Sequence, residues 1–99
     1  MLTPEIKEVI TQSPFIPIAT VSKDGQPHLI VVGKVKEIQG DDTLVFGVYK
    51  MVKTRQNLAE TGIMQAVAVV GKKGYRFSGK GTPGEKEVVL KVEKVESLL

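Results

Sequence analysis

The apolar positions of the chain change period along its length. Ile6, Val9 and Ile10 stand three to four residues apart, the spacing of one stripe on a helix. Thr3, Pro4 and Glu5 precede them, offering a capping hydroxyl, a proline suited to the first helical position and a carboxylate near the positive end of the helix dipole. The spacing therefore predicts a short helix that ends before Pro14. From Phe15 the pattern becomes that of strands. Ile16, Ile18, Ala19, Thr20 and Val21 make the first, with Pro17 marking an edge or a bulge. Lys23-Asp24-Gly25-Gln26 reads as a hairpin turn, because Asp-Gly supplies positive φ. A second strand is expected from Pro27 to Ile38, bent at Gly33, and a third from Thr43 to Val48 after the turn Gln39-Gly40-Asp41-Asp42.

Met51 to Glu60 returns to a helical pattern and stops at Thr61-Gly62, where glycine suits the left-handed cap. Met64 to Val70, Tyr75 to Gly79 and Glu87 to Glu96 are the remaining strands, separated by turns at Gly71–Gly74 and a loop at Gly81-Thr82-Pro83-Gly84. In the last of them Val88, Leu90, Val92 and Val95 alternate imperfectly with Glu and Lys, which leaves one face wet. The expected architecture is mainly β: a small six-stranded barrel with two short helices, whose closure would remove exposed edges. Repeats, low-complexity segments and linkers are absent, so residues 1–99 read as a single domain.

Composition narrows the chemistry. Fourteen basic against eleven acidic side chains give a net charge of +3, too mild and too scattered for a nucleic-acid or membrane-surface binder. Without cysteine there is no disulfide framework, zinc–thiolate site or thiol nucleophile, and a single histidine excludes a His-cluster metal site. No apolar run approaches the roughly 20 residues of a membrane helix, and the first residues do not have the pattern of a signal peptide. A cytoplasmic protein is expected.

The informative stretch is Tyr49 to Leu58, where a strand passes into a helix whose start carries Lys50, Lys53 and Arg55, with no acid before Glu60. Cations at a helix N-terminus oppose its dipole at a cost of about 0.3–1 kcal/mol each. An anion at the helix start resolves the conflict, since a phosphate can accept from free backbone N–H groups, the Lys53 ammonium and the Thr54 hydroxyl. Asn57, one turn beyond Lys53, would reach such a ligand or brace the loop. The alternative is a basic helix whose lysines stretch into water. His28, at the head of the second strand, reads as a packed strand residue before a general base. Tyr75 and Phe77 flank Arg76 as in strand-based readers of single strands, but two rings on one strand read first as core. Met51 and Met64 also read as core, and the glutamates from Glu85 to Glu96 as a solvated face.

The order of these features resembles a known family. Ile18-Ala19-Thr20-Val21-Ser22-Lys23-Asp24-Gly25-Gln26-Pro27-His28-Leu29 is similar to the A-T-x-x-x-D-G-x-P-H opening of the FMN-binding split barrels, the superfamily of pyridoxamine-phosphate-oxidase-like proteins. Lys53-Thr54-Arg55-Gln56-Asn57-Leu58 resembles its K-T/S-x-x-N-L segment, Gln65 to Val70 its V-A-V strand, and Phe77 to Gly81 its strand ending in G-x-A/G. The closest likeness is to the small bacterial FMN-binding proteins, homodimers with one flavin per subunit. The resemblance implies a split barrel with FMN at a homodimer interface and a redox role with an unnamed electron partner. It places the FMN phosphate on Lys53 and Thr54, the isoalloxazine along Val31, Val32 and Gly33, and the phosphate and ribityl chain beside Val48, Tyr49 and Lys50, with Asn57 in support. The chain differs from the small relatives in having Val31 and Val32 where they tend to be polar. It also has Tyr49 and Lys50 where they often have glycine, and only Gly81 to Lys86 where most carry a helix. Relatives in the superfamily that bind a deazaflavin or haem, the latter through His28 here, are the main alternative. A cofactor-free dimer and a nucleic-acid-binding barrel are the others.

Overall fold

The computed structural model describes residues 1–99. Helix α1 spans Pro4–Gln12 and α2 Val52–Glu60; the strands are β1 (Ile16–Val21), β2 (Pro27–Val32), β3 (Glu37–Gln39), β4 (Thr43–Gly47), β5 (Ile63–Val70), β6 (Lys73–Pro83) and β7 (Glu87–Ser97). They form one antiparallel sheet of seven strands in the order β2-β1-β5-β6-β7-β4-β3, wrapped as a split barrel. The Thr3 hydroxyl caps α1 by accepting from the Ile6 N–H, and the apolar stripe buries Val9 and Ile10. The barrel interior is filled by Ile16 and Ile18 of β1, Leu44 and Phe46 of β4, Met64 and Ala66 of β5, Phe77 of β6, and Val88, Leu90 and Val92 of β7, with Met51 and Leu58 added from around α2.

Three elements differ from the sequence expectation. The long strand from Pro27 to Ile38 is broken at Gly33–Lys36 into β2 and β3, which raises the strand count to seven rather than six. Lys36 N–H donates to the Val45 carbonyl at 2.8 Å, so the chain leaves β1 and re-pairs with β4. The expected loop at Gly81-Thr82-Pro83 is instead the end of β6, paired with Leu90, Val89 and Val88 of β7. Gly81 is there because α2 presses on the strand: a Cβ would meet Leu58 Cδ2 at 2.5 Å and Met64 Sδ at 2.8 Å. In β7 the pairing skips Glu93, since Ser78 faces Lys94 and Gly79 faces Val92. This bulge resets the two-residue alternation, which is why Val92 and Val95 both turn towards the core at odd spacing.

The sheet stays open at β2 and β3. The edges that closure would have removed are present, one of them shortened to three residues. Tyr75 and Phe77 pack with ring centroids 6.4 Å apart, Phe77 wholly buried, so they belong to the core and form no stacking platform for bases. No helix is long and apolar enough to cross a membrane.

Candidate functional site

Where the sheet splits, the end of β2 and the connection from β4 to α2 stand on either side of an open cavity of about 770 Å³. Its walls are Ile30, Val31, Val32, Gly33, Lys34 and Lys36 on one side and Gly47, Val48, Tyr49 and Lys50 on the other. Six residues singled out in the sequence, Val31, Val32, Gly33, Val48, Tyr49 and Lys50, are thus gathered from two distant segments. Gly33 and Gly47 each have nothing within 4 Å of an added Cβ, and neither adopts a positive φ. Neither the backbone nor a protein neighbour demands glycine at these two places; their bare walls leave a cradle that a side chain would occupy. Volume, largely apolar lining and a few polar groups are those of a small-molecule site.

Ile30, Lys34, Lys36 and Gly47 are wall residues that sequence reasoning missed. Lys34 and Lys36 were hidden because a continuous strand would have placed both on the face of Ile30 and Val32, opposite to Val31 and Gly33; the available signal was two lysines within three residues of the glycine that breaks it. The wall contains no carboxylate and no imidazole. Lys36 is held by an ion pair to Glu87, whose hydrogen bond raises the lysine above its ordinary value of 10.5. Lys34 and Lys50 make no ion pair, so the cavity presents positive charge.

The chain enters α2 directly from this wall. Val48 N–H is fixed to the Lys86 carbonyl at 3.1 Å, and the buried Met51 side chain anchors the turn. Met51, the residue before the helix, offers no side-chain cap, and the first turn contains no acid. The leading N–H groups of α2 therefore have no intrahelical acceptor, and the positive end of the dipole is uncompensated. Lys53 is exposed on this first turn, while Thr54 is 1% exposed and its hydroxyl has no hydrogen-bond partner. A buried hydroxyl without a partner, one turn from a cationic cavity, fits a ligand with an acceptor oxygen. Neither Lys53, Thr54 nor Asn57 is on the cavity wall itself.

Asn57 is completely buried and faces the sheet: its Nδ2 donates to Thr20 Oγ1 of β1 at 3.1 Å, while Oδ1 has no partner. This bond ties α2 to β1. The Thr61 hydroxyl adds a second tie by donating to the Val21 carbonyl at 2.8 Å. His28 lies opposite Thr20 on the half-buried face of β2 and does not reach the cavity wall. No group of three or more His, Cys, Asp or Glu side chains is placed to hold a metal ion.

On the outer face of the sheet, Leu29 is 69% and Val31 60% exposed, with Ala19 and Pro17 directly opposite them on β1. Ile63, Val67 and Val69 of β5 continue this apolar surface on either side of the exposed Gln65, which faces Ala19, and Val31 joins it to the cavity.

The family model described as pyridoxamine 5'-phosphate oxidase matches residues 2–96. No curated protein matches the chain. Among solved structures it is similar to HupZ of Group A Streptococcus, with a TM-score of 0.87 and 22% identity over 99% of this chain and 94% of that one. It is similar to an FMN-binding protein from Syntrophomonas wolfei, with a TM-score of 0.74 and 17% identity over 94% and 88% of the two chains. A third likeness, TM-score 0.64 and 13% identity over 97% and 94%, is to HutZ, the heme storage protein from Vibrio cholerae. At these identities the likeness is one of fold.

Proposed function

The chain belongs to the pyridoxamine 5'-phosphate oxidase family, and from that premise we propose that it is a flavoprotein binding FMN in the cavity between β2 and the β4–α2 connection. The observation that carries this reading is the pairing of a glycine-walled cavity with an uncapped helix start holding a buried, partnerless Thr54 hydroxyl. Lys53, Thr54 and the free N–H groups of α2 would hold the phosphate. Val31, Val32 and Gly33 would lie along the ring system, with Val48 and Tyr49 beside the ribityl chain. Bound FMN supplies the redox chemistry, while the chain supplies anchoring, orientation and a positive electrostatic setting. With no acid or imidazole on the wall, electron transfer to a separate partner is favoured over an enzyme with its own proton-transferring residue.

The apolar surface formed by Leu29, Val31, Pro17, Ala19, Ile63 and Val67 is assigned to a second copy of the chain. Contiguous apolar surface is rarely left bare on monomers, and Val31 belongs both to this surface and to the cavity, so the second copy would complete the cofactor site. The fold likeness to a heme storage protein raises haem as a rival ligand. His28, the only imidazole in the chain, does not line the cavity, which favours flavin there.

The test is titration with FMN and with riboflavin, read by quenching of flavin fluorescence. The expected result is saturation near one FMN per chain, with riboflavin much weaker, and a Lys53→Ala variant that loses FMN affinity far more than riboflavin affinity. Equal weakening of both ligands would remove the phosphate assignment, and no uptake of either would remove flavin.

A further inference from the structure

Five residues of the chain have positive φ, and four of them are glycines. The exception is Lys50, at φ +53°, in the left-handed region where a Cβ crowds its own backbone and glycine or asparagine is favoured. Nothing inside the fold asks for a lysine at this turn. The side chain is exposed and makes no ion pair; its ammonium lies 5.5 Å from the centroid of the Tyr49 ring, itself 76% exposed. Glycine would make the same turn from β4 into α2 without strain. A strained residue whose side chain meets only the neighbouring exposed Tyr49 ring, on the wall of a cavity, points to a ligand as the reason for its identity.

We propose that Lys50 is the residue that sets preference for a phosphorylated ligand over its neutral counterpart, its ammonium held to the cavity by a left-handed turn that lowers the stability of the unliganded fold. The Tyr49 ring gives the cation an apolar face to rest on and keeps it at the wall when no ligand is present. This inference rests on the flavin reading of the cavity and deepens it. It assigns part of the charge recognition to the turn before α2, separate from Lys53 and Thr54 on the helix.

The signature is a pair of effects of opposite sign, which a residue serving only the fold would not produce. Lys50→Gly should melt about 2–6 °C above the wild type without ligand, as strain is relieved. It should bind FMN about tenfold more weakly, as expected when one charged hydrogen bond is lost, and leave the riboflavin dissociation constant within about twofold. Lys50→Arg should keep the wild-type melting temperature and hold FMN affinity to within about threefold. A lower melting temperature for Lys50→Gly would overturn the inference by showing that the lysine serves the fold. Parallel changes for FMN and riboflavin, or none, would overturn it and leave the flavin reading intact. A wild-type protein that takes up no FMN would bring down both.

Discussion

Replacing Thr54 by valine should make the protein more stable and a poorer binder at once. The Thr54 hydroxyl is buried in the first turn of α2 with no hydrogen-bond partner, and a desolvated, unpaired hydroxyl costs about 1–3 kcal/mol. Valine keeps the β-branched shape and has nearly the same helix propensity, so packing and backbone are undisturbed. Rotation about χ1 towards a carbonyl of the preceding turn would recover part of the penalty in the wild type. The expected gain is therefore at the lower end, about 1 kcal/mol. For a domain of this size that is a rise of about 4–8 °C in melting temperature, or about 1 M in urea midpoint if m is near 1 kcal/mol/M. Both are measured in buffer free of phosphate and sulfate, so that no anion competes for the hydroxyl. The second arm adds FMN: a ligand at a hundred times its dissociation constant stabilises by about 2.7 kcal/mol, and the variant should show a smaller rise than the wild type. Loss of stability in Thr54→Val without ligand would refute the argument, because it would mean the hydroxyl is satisfied in solution. An FMN-induced rise equal to that of the wild type would refute its link to the ligand.

Glycines test the division between site and fold. Gly47→Val should leave the melting temperature within a few degrees, since nothing lies within 4 Å of the added Cβ, yet weaken flavin uptake at least tenfold. Gly79→Ala, whose Cβ would overlap the Lys91 carbonyl at the β7 bulge, should lose several kcal/mol or fail to fold. Alkaline titration tests the tether of the Gly33–Lys36 connection. Glu87 raises the Lys36 ammonium above 10.5, so its contribution is fully present below that value and is lost as the pH climbs through the raised one. The stability difference between wild type and Glu87→Gln should shrink above about pH 10.5; a difference that persists unchanged to higher pH would show that the pair does not tie down the loop.

Much of the fold was legible because local signals agreed with the global one. Thr3-Pro4 opened α1, Asp24-Gly25 turned the first hairpin, and Gly62 took the left-handed position after α2. The misreadings arose where a tertiary contact gave a residue its meaning. Gly81 and Pro83 look like loop residues in isolation, but Gly81 is a landing place for Leu58, and the strand continues through both. The imperfect alternation in β7 was visible in Val92 and Val95, whereas the Glu93 bulge that produces it depends on the partner strand. The candidate site divides in the same way. Charge opposing the α2 dipole drew attention to Lys50, Lys53 and Thr54, and the resemblance added Val31 to Gly33 and Val48 to Lys50. The burial of Asn57 and the place of Lys34 and Lys36 on the wall followed only from how β2, β3 and β4 are joined.

The mounting of α2 bears on how fast and at what entropic cost a ligand is received. Asn57 and Thr61 tie the helix to β1, and Leu58 seats against Gly81 of β6, all without help from any bound molecule. The free N–H groups at the other end are consequently aimed before a ligand arrives. Their ordering was completed when the chain folded, so association need not wait for a loop to settle, and little conformational freedom is left to lose on binding. A site mounted in this way would reserve its adaptability for the opposite bank of the cavity, where the Gly33–Lys36 connection is held by one backbone bond to Val45, the half-buried Val35 and the exposed Lys36–Glu87 pair.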